Sequence, residues 1–348
     1  MKKFAFIIII LCFLSCGIYI IFTLNAAAQK PIEFTYSNFF PFAHFNSQLI
    51  ASWIEQIEKR TNGAVKISLH SDGGGYKGNE IFDAVEKGNT DIGMSILGYT
   101  PTRFPAMIFV DLPMGYPNGR VATCVINKFC ARFKLTESGK DFENVKLLYL
   151  QAHGPGIIHS QKPIYSLDDI KGIKVRTHGF GIKIIQALGG IPVGMPQAEA
   201  YSALQKKLVD ATLSPLEVLK GWKQAEVIKY TVESSCIGYT SGMFVTMNKE
   251  KWESLPENVQ KVFDEVSAEW IPKHGKAWDT ADKSGLYYSL SLRNKINPLN
   301  AKERTRWVQA LKPEIDTFAE EAEEKGIPGK EYVKALQELI QKCTKETK

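Results

Sequence analysis

No HExxH metal-binding helix, GxSxG nucleophile turn or GxxxxGK[ST] phosphate loop occurs in the 348 residues. The commonest sequence signs of metalloprotease, serine hydrolase and nucleotide-driven chemistry are therefore missing. Metal ligands at a usable spacing are also lacking. The six histidines (His44, His70, His153, His159, His178 and His274) stand singly, and no CxxC or Cys/His pattern suited to zinc is present. Gly73 to Gly75, followed by Tyr76-Lys77-Gly78, reads as a turn and not as a phosphate cradle. His159, Ser160, Asp168 and Asp169 could be imagined as parts of a triad, but no motif holds them together. Although the formal charge is +6, there is no polybasic run, which argues against nucleic-acid binding. No sequence period marks a repeat protein. Neither a cofactor nor a metal is expected.

Acidic residues are absent before Glu33. Lys2 and Lys3 precede an almost wholly apolar run from Phe4 to Leu24, and Ala26-Ala27-Ala28 supplies the small residues of a cleavage site. Residues 1–28 thus read as a signal peptide that exports the body of the chain to the periplasm. The apolar run is also close to the roughly 20 residues that span a bilayer, so an uncleaved membrane anchor is the alternative. Cys16 after Phe13-Leu14-Ser15 is a weaker lipoprotein signal, because apolar residues follow it. Loss of Lys2 and Lys3 takes the formal charge from +6 to +4.

Four cysteines remain beyond the leader: Cys124, Cys130, Cys236 and Cys343. An oxidising compartment permits three pairings among them. Cys124 and Cys130 share an expected helix, about 9 Å apart along its axis, too far for a direct bridge. Isolated buried thiols are the expectation.

A hydrophobic content of 44% suits two medium α/β lobes or one large domain. Strand and helix signals alternate. Ile32 to Tyr36 reads as a strand, followed by a helix capped by Asn46 or Ser47, with Leu49, Ile50, Trp53, Ile54 and Ile57 on one face. Val65, Ile67 and Leu69 alternate as a strand, 79–87 is a helix and 91–97 a strand, which implies a parallel sheet. A helix over 121–133 leads to a second set: strands at 146–152, 173–176 and 209–212, with helices at 180–188, 197–207 and 215–226. A strand at 243–248 precedes helices over 257–292, 301–322 and 330–342.

Arg176 falls at the carboxyl end of a strand, where open α/β sheets place ligand groups. Its planar fork suits a carboxylate held by two charge-assisted hydrogen bonds. From position alone, however, the side chain reads first as half of a surface ion pair. Ser214 reads first as a helix cap and second as a ligand hydroxyl.

The segment from Leu167 to Val227 resembles the solute-binding proteins of TRAP transporters, the DctP-like periplasmic family. The pattern runs through Gly172-Ile-Lys-Val-Arg176, Ala187-Leu-Gly-Gly-Ile-Pro192, Met195-Pro196, and Glu199-Ala-Tyr-Ser-Ala-Leu-Gln205 to Val209-Asp210. It extends upstream to Ile57-Glu-Lys-Arg-Thr-Asn-Gly63, Glu86-Lys-Gly88 and Asp91-Ile-Gly-Met94, and downstream to Asn248-Lys-Glu-Lys-Trp252 and Leu255-Pro256.

The resemblance implies an α/β, two-lobed periplasmic-binding-protein fold, class II-like, with crossing strands and a long lobe-spanning helix. It places lobe I at 29–152 plus 240–279, and lobe II at 153–239 plus 280–348. It implies a small organic acid bound in the interlobe cleft, with Arg176 on its carboxylate, and delivery to membrane permease subunits. Three positions depart from the family pattern. Ser214 stands where asparagine is common, Gln197 where an aromatic is frequent, and Gly156, in the stretch from His153, where sialic-acid binders carry a second arginine. A monocarboxylate, dicarboxylate or keto acid is therefore expected, and the guanidinium fork also suits a sulfonate.

Further lining candidates are Phe39, Phe40 and His44 after the first strand, Tyr99 after the third, and Tyr239 near the crossover; core packing is an equal reading of the run from Phe39 to Phe45. Trp222 reads as packing. The competing functions are a membrane-tethered sensor or scavenger, and a periplasmic small-molecule hydrolase.

Overall fold

A computed structural model describes residues 30–137 and 140–347; the expected leader at 1–28 lies outside them. Two mixed β-sheets, each flanked by helices, organise the chain. In the first sheet β1 (Ile32–Asn38) runs parallel to β2 (Val65–His70) and β3 (Ile92–Ile96). Next to β3, β10 (Gly242–Asn248) runs antiparallel to both β3 and β4 (Val145–Ala152). The order is β2-β1-β3-β10-β4. The parallel arrangement expected from the first three strands is present, and β10 makes the sheet mixed.

The second sheet adds β5 (Ile157–Ser160), β6 (Lys174–Thr177), β7 (Ile191–Gly194), β8 (Ala211–Ser214), β9 (Tyr230–Glu233) and β11 (Lys295–Pro298), in the order β11-β9-β5-β8-β6-β7. The chain passes between the sheets three times, the last time through the long helix that follows β10, and the first two crossings are short non-helical segments. One crossing runs from β4 to β5 through His153–Gly156, the other from β9 to β10 through 234–241. They lie side by side: Gly156 N donates to Tyr239 O at 2.9 Å, and Thr240 Oγ1 donates to the His153 carbonyl at 2.6 Å.

Helix α1 (Phe45–Arg60) buries Ile50, Trp53, Ile54 and Ile57, the face read from its periodicity. Its cap is His44, whose side chain accepts from Asn46 N; Asn46 and Ser47 are buried instead. Helices α2 (Ile81–Glu86) and α3 (Gly119–Arg132) complete the cover of the first sheet. α4 (Gly181–Ala187) and α5 (Gln197–Gln205) belong to the second. The helix expected over 215–226 is broken. Only Val218–Gly221 is helical (α6), Lys223 has a φ of 55°, and Gln224–Glu226 is a separate 3-10 turn. The left-handed conformation of Lys223 ends the helical path that the local pattern favours.

After the short α7 (Lys249–Glu253), α8 (Glu257–Ser291) is 35 residues long, about 50 Å at 1.5 Å per residue. It packs on α1, α3 and β4 at one end and on α6 at the other. Gly285 permits that second contact, since an added Cβ would sit 2.0 Å from the Leu216 carbonyl oxygen. Among the described residues no helix is long and apolar enough to cross a membrane. The chain ends in α9 (Ala301–Glu323) and α10 (Gly329–Glu346).

Cys124 on α3 and Cys343 on α10 form a disulfide, so the expectation of isolated thiols fails for this pair. Local spacing excluded only a bridge to Cys130. The true partner arrives 219 residues later, on a helix that packs against α3. Cys130 and Cys236 are free.

Candidate functional site

Strand pairing assembles the surroundings of Arg176. On β6 it lies opposite Val193 of β7 and Thr212 of β8. The chain beyond β7 brings back Met195 and Gln197, and the end of β8 brings Ser214. The guanidinium donates to the Met195 carbonyl from Nε (3.1 Å) and Nη2 (2.8 Å). From Nη1 it donates to Gln197 Oε1 (2.8 Å) and Ser214 Oγ (3.2 Å). Thr212 Oγ1 lies 3.0 Å from Ser214 Oγ. Ser214 is therefore a partner of the arginine, and its reading as a helix cap is corrected.

Arg176 is wholly buried, the sole lysine or arginine so placed among the described residues. The reading as a surface ion pair is likewise corrected. Its four hydrogen bonds go to three acceptors, all neutral, and Glu199, which acts on it through space, is exposed and forms no ion pair with it. Burial draws its pKa down from the usual value. Desolvating an unpaired cation costs several kcal/mol, which neutral acceptors offset only in part. An anion set against this group would recover that cost.

Tyr99 reaches the same place from the first sheet. It ends the 3-10 turn Leu97–Tyr99 after β3, and its hydroxyl accepts from Gln197 N at 2.9 Å. Burial raises its pKa, and the adjacent Arg176 opposes the rise. Phe39 stacks on Phe40 at 4.2 Å, meets Tyr99 edge-on at 5.7 Å and lies parallel to Trp222 at 6.4 Å. Phe39 is thus both core and part of an aromatic wall. Half-buried Trp222 belongs to that wall from the second sheet's side.

The crossing strands supply the remainder. His153 is buried, its Nδ1 2.5 Å from the Gly154 carbonyl, and burial lowers its pKa to about 4. His178, which sequence reasoning passed over, sits edge-on to Tyr99 at 5.2 Å with Nε2 3.0 Å from Ser241 Oγ. Its pKa lies well below the ordinary value, from burial first and then from Arg176. Both rings are neutral at pH 7. Gly156 contributes no side chain, and an added Cβ would lie 1.7 Å from Tyr239 Cε1. Tyr239 fills that space, its ring 5.5 Å from His153 and its hydroxyl donating to the Leu213 carbonyl at 3.2 Å.

Glu217 had no sequence signal. It lies 2.6 Å from His44 Nε2, both side chains buried, and its backbone N donates to Asp282 Oδ1 at 2.8 Å. The imagined triad does not assemble. His159 is buried between Thr231 Oγ1 and the Pro215 carbonyl, while Ser160 donates to the Lys162 carbonyl. Asp169 folds back on Ser166, and Asp168 pairs with Lys171 and Arg306 on the surface.

Residues 41–322 match the family model described as bacterial extracellular solute-binding protein, family 7. The C4-dicarboxylate-binding periplasmic protein DctP of Rhodobacter capsulatus is 27% identical over 274 residues, 78% of this chain and 81% of that protein. A TRAP solute-binding protein from Rhodoferax ferrireducens, solved with copurified benzoate, superposes with a TM-score of 0.85 at 26% identity, covering 91% of this chain and 100% of that one. A marine metagenome TRAP solute-binding protein specific for aromatic acid ligands, solved with 3-hydroxybenzoate, gives 0.84 at 27% identity, covering 90% and 99%. These matches bear out the reading of a two-lobed α/β solute-binding fold, and the chain belongs to the bacterial extracellular solute-binding protein family 7.

Proposed function

We propose that the protein is the periplasmic solute-binding subunit of a TRAP-type secondary transporter. It captures a small organic acid between its lobes through Arg176 and hands it to the membrane permease. The observation that carries this reading is the burial of Arg176 with neutral acceptors only, which leaves a fixed positive charge in the cleft. Benzoate and 3-hydroxybenzoate in two structural relatives, and the C4-dicarboxylate name of a sequence relative, support a carboxylate as the cargo.

Lobe I takes residues 29–152 plus 240–279 and lobe II residues 153–239 plus 280–348, with α10 tied back to α3 by Cys124–Cys343. Hinge motion at the crossing strands closes the lobes and removes water, which strengthens the pairing of carboxylate and guanidinium. The protein binds its solute and does not turn it over. Residues 1–28 act as the export signal. A thermal-shift screen of organic acids tests the proposal. Acids should raise the Tm of the wild type but not of Arg176→Ala, and equal shifts in the two proteins would refute it.

A further inference from the structure

Three buried nitrogens around Arg176 lack hydrogen-bond partners: Gln197 Nε2, His153 Nε2 and His178 Nδ1. The contact of His178 with Ser241 suits either tautomer, whereas the structure fixes the sense of the other two. Gln197 Oε1 accepts from Arg176 Nη1 at 2.8 Å, which identifies the other amide atom as nitrogen. Gln197 Nε2 is buried and unpaired, a donor in want of an acceptor. His153 has the opposite sense. A carbonyl only accepts, so the Nδ1 atom 2.5 Å from Gly154 O carries the ring proton. Burial and the field of Arg176 keep the ring neutral, which leaves Nε2 a bare lone pair. That atom too is buried and unpaired. Tyr239 at 5.5 Å and Trp278 at 5.9 Å, both edge-on, hold the ring in place.

The buried groups around Arg176 therefore include both an unpaired donor and an unpaired acceptor. Arg176 and Gln197 N–H groups want a carboxylate, whereas His153 Nε2 wants a hydroxyl or N–H. No second buried lysine or arginine among the described residues is available for a second negative charge.

We infer that the solute is a hydroxy monocarboxylic acid, whose carboxylate meets Arg176 and Gln197 and whose hydroxyl donates to His153 Nε2. This rests on the carboxylate reading above and narrows it. A keto oxygen or a second carboxylate would set lone pairs against the lone pair of Nε2 and leave that buried nitrogen unpaired, which weakens binding. Sites built to bond a hydroxyl reject analogues that lack it more strongly than apolar pockets reject extra bulk.

Calorimetry with matched probes tests the inference: 3-hydroxybenzoate, benzoate and 3-methoxybenzoate; mandelate, phenylacetate and O-methylmandelate; lactate, propionate and pyruvate; malate and succinate. In at least one monocarboxylate series the hydroxy acid should bind about tenfold or more tightly than its deoxy, keto or O-methyl counterparts. His153→Phe should erase that preference, the hydroxy acid losing about tenfold or more relative to the deoxy acid. The wild-type comparison decides the matter even if that variant does not fold.

If deoxy, keto or dicarboxylic acids bind as tightly as hydroxy acids in every series, and Arg176→Ala still abolishes binding, the hydroxyl assignment is overturned and the carboxylate reading stands. If no acid binds the wild type, or Arg176→Ala binds equally well, the carboxylate reading fails and this inference falls with it.

Discussion

His44 Nε2 and Glu217 Oε1 lie 2.6 Å apart with both side chains out of solvent, one preceding α1 at the first sheet, the other preceding α6 at the second. Because His44 Nδ1 accepts from Asn46 N, the ring proton sits on Nε2 and is donated to the carboxylate. Glu217 in turn is held by Asp282 of α8, so the contact joins first sheet, second sheet and long helix. Nothing in the contact depends on Arg176.

His44→Ala leaves the Glu217 carboxylate buried without its partner, which typically costs about 3–5 kcal/mol. Opening the lobes relieves that cost. We expect small-angle scattering of the variant with saturating ligand to show a larger radius of gyration, and stopped flow to show at least tenfold faster release. A compact liganded variant with wild-type release would assign the pair to folding alone.

Stability should fall as pH rises from about 6.5 to 8. Burial pushes the carboxyls of Asp111 and Asp282 up to about 8, whereas an aspartate in the unfolded chain titrates near 3.9. The folded state therefore binds more protons across that window, and stability declines as pH climbs through it. His153 and His159, lowered to about 4, act in the opposite sense: their contribution is complete above about 6.5 and is lost as pH falls toward 4. Above pH 6.5 the carboxyls act alone. Asp111→Asn, which keeps an acceptor for Gly242 N, should flatten that limb of a Tm-against-pH curve by on the order of 1–2 kcal/mol.

Gly156→Ala forces a methyl into the Tyr239 ring, where the unrelaxed contact would be 1.7 Å. Overpacking of this kind costs about 1–3 kcal/mol. Calorimetric unfolding should show the loss, and replacing Tyr239 by Ala in the same chain should recover part of it. Full additivity of the two substitutions would contradict direct contact between them.

Cys124–Cys343 ties the last helix to α3 across 219 residues. Reduction, or Cys343→Ser, should lower stability by about 2–4 kcal/mol. Non-reducing peptide mapping by mass spectrometry should find this pair linked, with Cys130 and Cys236 free.

Long elements were legible because their patterns are local: the apolar face of α1 and the span of α8 follow from periodicity alone. The four-residue strands β5, β7, β9 and β11 escaped, whereas β6 and β8, equally short, were read in part. The neighbourhood of Arg176 could be read through family resemblance, because Gln197 and Ser214 follow it at fixed spacing on β7, α5 and β8. Its burial could not, since that depends on Tyr99 and the crossing strands closing over it. Glu217 and His44 are 173 residues apart, and Cys124 and Cys343 are 219 apart. Only the assembled sheets bring such pairs together.

The account turns on one charge. Titration calorimetry of wild type, Arg176→Lys and Arg176→Ala with the tightest-binding acid from the thermal-shift screen tests it most directly. Lysine keeps the charge but loses the planar fork, so it should retain weak binding, reduced about tenfold to a hundredfold, while alanine should show no measurable heat. Wild-type affinity in Arg176→Ala would contradict the assignment of Arg176 as the carboxylate anchor.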